Sequence, residues 1–255
     1  MSEGSHCLDA GEEVPAEDDE IDMEAESLSL IRRRIRKIEN YGRMKNLKSL
    51  CLRWNLISKI ENLDGLNHLR NRCDTSYLQI SEIAGLESLV TLEVLDMSFN
   101  RIAKIGGLDT LVNLKALYLV HNKIRKIENL RALKKLELLE LGDNHIQCIE
   151  NVNGLKRLQK LFLGANQIRT IENLDELTSL TVLSLPGNAI TKIEGCSLSN
   201  FTVYASPDSN TSIFDGGSAQ TRLQIKTIDC IPANWIPGDP WQPLHTTSDE
   251  ETVEE

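Results

Sequence analysis

The sequence predicts an α/β solenoid, with a parallel β-sheet on a concave face and short helices or 3-10 turns on the convex face. Three observations carry the prediction. Asn100, Asn122, Asn144, Asn166 and Asn188 fall at a period of 22 residues, and Asn55 precedes Asn100 by 45. Ahead of each asparagine an apolar pair alternates with one other residue, as in Leu117/Leu119, Leu139/Leu141 and Leu161/Leu163; such alternation puts both side chains on one face of a short strand. Behind each asparagine the apolar residues recur every third place, as in Ile124, Ile127 and Leu130, the spacing of a helical or 3-10 turn.

Taken in order, Ile31, Ile35 and Ile38 form a partial unit, and the first full unit is built on Asn55. The 45-residue gap hides a second unit with one extra residue. There Leu78 takes the asparagine place, Cys73 and Thr75 replace the strand leucines, and Ile80 and Ile83 follow. A loosened or bulged coil is expected, either a hinge or a degenerate repeat. Five regular units then run to Gly195. The consensus LxxLxLxxNxIxxIxxL is that of a leucine-rich repeat, whose units run about 20–29 residues. One unit cannot bury its leucines, so stacking against neighbours supplies the core. The recurring Asn suits a turn whose stranded backbone groups its amide can satisfy.

Charge divides the chain into three. Residues 1–27 carry eleven acids and no Lys or Arg, and residues 196–255 carry nine acids against Arg222 and Lys226. With a net charge of -10, residues 28–195 are left at +8. The expected organisation is an acidic disordered arm at 1–27, too poor in apolar residues to offset its ordering entropy, a repeat domain at 28–195, and a mostly disordered tail at 196–255 that holds five of the seven prolines. The absence of a secretory h-region or an 18-residue apolar run leads us to expect a soluble intracellular protein. Six cysteines without CxxC spacing and five histidines without HxxxH spacing lead us to expect reduced thiols and neither metal nor cofactor. No Walker loop, GxSxG, HExxH or EF-hand pattern is present, and no catalytic residue is expected. The run IRRRIRK at 31–37 reads equally as a localisation or nucleic-acid patch and as the charged outer face of a capping coil. Without interleaved aromatics along a basic stripe, nucleic acid is not favoured as a partner.

LELGDNHIQCIEN, residues 139–151, concentrates groups that elsewhere do chemistry. The repeat disposes of most of them. His145 occupies a place that also holds Leu56, Arg101, Lys123, Gln167 and Ala189; Cys148 stands where other units have Lys59, Lys104, Lys126 and Lys192; Glu150 belongs to an IEN triplet found five times. Glu140 is different, because it lies between two strand leucines and points onto the concave face. Asp96, Tyr118, Glu140 and Phe162 hold that place in four successive units. The result is a row of acid, aromatic, acid, aromatic, suited to anchoring a partner with basic and apolar features.

The motifs LEVLDMSFNRI, LKALYLVHNKIRKIENL, LELLELGDNHI, LQKLFLGANQI and LTVLSLPGNAITKIEG resemble the leucine-rich-repeat subclass of protein phosphatase 1 regulatory subunits, from about Ile31 to Gly195. The resemblance implies a non-catalytic nuclear and cytoplasmic protein that binds the phosphatase catalytic subunit, takes no small-molecule substrate and does not enter membranes. By motif match it places the partner-binding positions on Asp96, Tyr118, Glu140 and Phe162, with Tyr118 where the subclass carries Phe. After Gly195 the pattern departs from the subclass, in which further repeats and a cap are implied. A shortened or alternative form is therefore expected, with an uncapped last coil or an improvised cap from Trp235 and Trp241. A scaffold for another assembly, in splicing, cilia or the cytoskeleton, is the competing expectation.

Overall fold

A computed structural model describes residues 21–194 together with the strands Thr202–Ala205 and Ile225–Thr227. Strands β1 (Ser27–Ser29), β2 (Ser49–Cys51), β3 (Arg72–Asp74), β4 (Val94–Asp96), β5 (Ala116–Tyr118), β6 (Leu138–Glu140) and β7 (Lys160–Phe162) follow one another at the repeat period. β8 (Thr170–Ile171) precedes β9 (Val182–Ser184), β10 (Lys192–Ile193), β11 (Thr202–Ala205) and β12 (Ile225–Thr227). Ten of them form one parallel sheet in the order β1-β2-β3-β4-β5-β6-β7-β9-β11-β12, and β8 and β10 pair separately. This is the leucine-rich-repeat solenoid that the periodicity predicts.

The core is one continuous column of leucine and isoleucine. Both leucines of each strand pair are buried, as are the apolar residues of the outer arc, such as Ile102, Ile105, Leu108, Leu111 and Leu114 in one coil. Of the expected short helices or 3-10 turns, the arc takes mainly the form of turns. One 3-10 helix, Tyr41–Arg43, occurs among the described residues. Elsewhere each coil turns by two successive three-residue hydrogen bonds, Leu111 N–H to Leu108 O and Leu114 N–H to Leu111 O in that coil. With every third residue buried and only three residues per bend, the coil closes before a helix can propagate.

The asparagine ladder takes the form its chemistry suggests. The Asn122 amide donates to Leu119 O in its own coil and to Met97 O in the preceding coil, both at 3.1 Å. Its carbonyl oxygen accepts from Ile102 N–H at 3.0 Å. Asn55, Asn100, Asn144, Asn166 and Asn188 repeat this pattern. The IEN triplets build a second ladder on the outer arc. Asn62, Asn129, Asn151 and Asn173 each donate to the carbonyl of the isoleucine at the equivalent place one coil earlier (Ile38, Ile105, Ile127 and Ile149), all at 2.7 Å. These asparagines are left-handed, with φ near +60°, a conformation Asn tolerates better than most residues.

The weak coil is packed, not loosened. β3 pairs in register with both neighbours, and Cys73 and Thr75 are fully buried in the leucine places. The extra residue is absorbed as a bulge just before the strand, so that Ser49 pairs with Arg72 at a separation of 23 where Val94 pairs with Ala116 at 22. Leu78 is buried in the asparagine place, and having no amide it interrupts the first ladder. Residues 1–20 of the expected arm lie outside the described residues, whereas Ile21 and Ala25 pack against the core. Beyond Glu194, β11 and β12 extend the sheet with Tyr204 in register with Ser184 and with Lys226. The rest of the tail, including Trp235 and Trp241, is outside the described residues.

Candidate functional site

The concave sheet brings the four predicted residues into one row. Asp96 is in register with Tyr118, Tyr118 with Glu140, and Glu140 with Phe162. Cys51 and Asp74 continue the row toward the start of the chain and Ser184 toward its end. The two rings are half-buried.

The carboxylates are not presented as freely as the row suggests. Asp96 is 1% exposed and Glu140 7%. Each turns back to accept a backbone hydrogen bond two residues on, Asp96 from Ser98 N–H at 3.0 Å and Glu140 from Gly142 N–H at 3.0 Å. Asp74 does the same with Ser76, from both N–H and hydroxyl. Those N–H groups fall between successive bonds of the parallel ladder, and the carboxylates satisfy them. A Cβ on Gly142 would come within 2.9 Å of Glu140 Oε1, so the glycine provides the space into which the carboxyl folds. Arg72 bridges Asp96 at 3.0 Å and Asp74 at 3.4 Å.

Burial decides the protonation of this row. It pushes Asp96 up to about 6, aided by the charge of Asp74 and opposed by Ser98 and Arg72. It pushes Glu140 up to about 8, opposed by the Gly142 N–H and aided by Asp96. Burial likewise raises the Tyr118 hydroxyl and takes the Cys73 thiol up to about 12. At neutral pH, then, Asp96 is an anion held by Arg72, and Glu140 is largely a neutral acid. A cation placed over Glu140 would draw out its proton.

The residues of 139–151 sort as the repeat implies. Asn144 and Asn151 belong to the two ladders, while His145 and Cys148 are exposed. Among the described residues, no group of three or more His, Cys, Asp and Glu is placed to hold a metal. No helix there is long and apolar enough to cross a membrane.

A second feature escaped the sequence reading. The residue just before each ladder position is left-handed, with φ between +51° and +68° from Arg32 through Trp54, Tyr77, Phe99, His121, Asp143 and Ala165 to Gly187. The side chains stack. Trp54 and Tyr77 are 3.9 Å apart between centroids, Tyr77 and Phe99 4.1 Å, and Phe99 and His121 5.1 Å. Arg32 caps the indole at 5.3 Å, Arg53 lies over Tyr77 at 5.3 Å, and His121 Nδ1 meets the Asp143 carboxylate. The signal was present in the alignment on asparagine, one place earlier.

Comparison with known proteins fits this architecture. The family model described as "Leucine Rich repeats (2 copies)" matches residues 90–132 and 134–176. The structure resembles internalin C2 of Listeria monocytogenes with a TM-score of 0.62 and 27% identity, covering 71% of this chain and 80% of that one. It resembles a leucine-rich-repeat protein of Leptospira interrogans with a TM-score of 0.55 and 30% identity, covering 58% and 39%. The chain is a leucine-rich-repeat protein. Over 65 residues it is 50% identical to the human protein named protein phosphatase 1 regulatory subunit 7, and 49% identical to that of Pongo abelii. Each match spans 22% of this chain and only 18% of the relative.

Proposed function

We propose that the chain is a non-catalytic regulatory subunit that binds the catalytic subunit of protein phosphatase 1 across the concave sheet, in the nucleus and cytoplasm. The observation that carries this reading is the single row of Asp96, Tyr118, Glu140 and Phe162, in a chain half-identical over 65 residues to a phosphatase regulatory subunit. Tyr118 and Phe162 are the anchors, because their rings are half-buried and held by the sheet, which limits the entropy lost on binding. Asp96 and Glu140 set the electrostatic character between them. A basic partner group over Glu140 favours its ionised form, so binding strengthens as pH rises toward 8.

The test is calorimetric titration of the full chain with the phosphatase catalytic subunit, beside Phe162→Ala and Tyr118→Ala. Loss of a buried aromatic anchor typically costs about 2 kcal/mol or more, so at least a tenfold loss of affinity is expected from each. Unchanged affinity in a variant with an intact circular dichroism spectrum, or no binding by the folded wild type, would sink the proposal. The competing reading, a scaffold for a different protein, draws on the commitment of Asp96 and Glu140 to backbone N–H groups. It predicts no phosphatase binding at all.

A further inference from the structure

The flank beside the aromatic column is strongly cationic in two adjacent coils. The places one, three and four residues past each ladder asparagine lie on the surface, outside the strand. In the coils of Asn100 and Asn122 they hold Arg101 and Lys104, then Lys123, Arg125 and Lys126, with Ala103 as the sixth. All five cations are exposed. None has a salt bridge or side-chain hydrogen bond among the described residues, whereas Lys59 and Lys192, four residues past Asn55 and Asn188, are paired with Glu61 and Glu194. The nearest acids in sequence are Asp96, Asp109 and Glu128; Asp96 is held by Arg72, and Glu82 occupies the place of Lys104 one coil earlier. The same coils carry Phe99 and His121 at the end of the stacked column.

We propose that this flank is a docking surface for an acidic, partly apolar segment of another protein. The occupant follows from charge and from which ring surfaces remain free. Five unpaired cations within two coils favour a run of carboxylates. The column offers ring edges, because its faces are consumed by stacking from Arg32 through to His121. Edges take apolar side chains and carboxylate oxygens, which the positive rim of an aromatic quadrupole attracts. They give no platform for intercalated bases, on which single-stranded nucleic acid binding depends. The surface is separate from the concave row and does not depend on the phosphatase reading.

The experiment is fluorescence anisotropy with the full chain at low salt, using labelled poly(Glu,Tyr) of 4:1 composition as probe and poly-L-glutamate beside it. Binding of poly(Glu,Tyr) is expected, several-fold tighter than poly-L-glutamate. It should weaken at least tenfold in Arg101→Gln/Lys123→Gln/Lys126→Gln, whose positions are exposed and leave the core untouched. Circular dichroism checks that the triple variant stays folded. A full chain with the acids of residues 1–20 changed to amides is measured in parallel and should bind within a few-fold of the wild type. Four results overturn the proposal: no binding to either chain, equal binding by the triple variant, preferential binding of oligouridylate, or binding seen only after the amide changes. The last would give the flank to the chain's own acidic arm.

Discussion

Replacing Glu140 by Gln isolates the largest electrostatic burden in the sheet. The carboxyl is buried, is pushed up to about 8 from the ordinary 4.5, and keeps one hydrogen bond, from Gly142 N–H. A folded-state value above the unfolded one means that the native state holds the extra proton. Stability from this group is therefore complete below about pH 4.5 and drains away as pH rises through 8. Between pH 6 and 8 the linkage relation gives a loss of about 2 kcal/mol from Glu140, with a smaller loss in the same direction from Asp96, whose value is near 6. Glutamine keeps the acceptor for Gly142 N–H and cannot ionise. Urea unfolding of both chains at pH 6, 7 and 8 supplies the comparison, since the other titrating groups are shared. The two should be similar at pH 6, with the variant about 2 kcal/mol more stable at pH 8. Parallel pH profiles would refute the reasoning and mean that the Glu140 carboxyl reaches water.

Two further perturbations probe the packing. A Cβ on Gly65 would lie 1.7 Å from Gly42 O, a backbone atom, whereas one on Gly106 meets nothing within 4 Å. Gly65→Ala should therefore destabilise by about 3 kcal/mol or more, while Gly106→Ala should be neutral or stabilising by under about 1 kcal/mol; thermal melts of the pair decide it. Tyr77 stacks on both Trp54 and Phe99, so Tyr77→Asn, which suits the left-handed backbone, should still cost about 2 kcal/mol from two ring contacts. Tyr77→Phe should cost little. Equal midpoints for the Asn and Phe variants would show that the column contributes nothing to stability.

The solenoid was legible because its cause is periodic. Strand leucines, ladder asparagines and arc isoleucines each answer to a backbone requirement that recurs every 22 residues, so position alone identifies their role. The concave row was legible for the same reason, as strand alternation fixes which face Glu140 occupies. Its state was not. Whether a carboxyl reaches out or folds onto Ser98 or Gly142 N–H depends on free donors and on the small residue beside it, and neither belongs to the leucine pattern. The aromatic column was hidden because left-handed backbone is associated with Gly and Asn, and Trp54, Tyr77 and Phe99 look like poor candidates for it. Stacking against the neighbouring coil offsets the conformational cost, a tertiary effect that one unit alone cannot display.

Leu78 gives the molecule a fault line. In an array where each coil binds only its neighbours, cohesion passes from coil to coil like load along a chain, and the weakest joint sets where it parts. At this joint Leu52 O and Ile57 N–H lose the amide that bridges their counterparts elsewhere. Tyr77, one residue away, is clasped between two rings and fastens the same joint from outside. Amide exchange should record this as a step, with the coils before Leu78 opening together and sooner than those after it, and with the step steepening once the Tyr77 ring is removed.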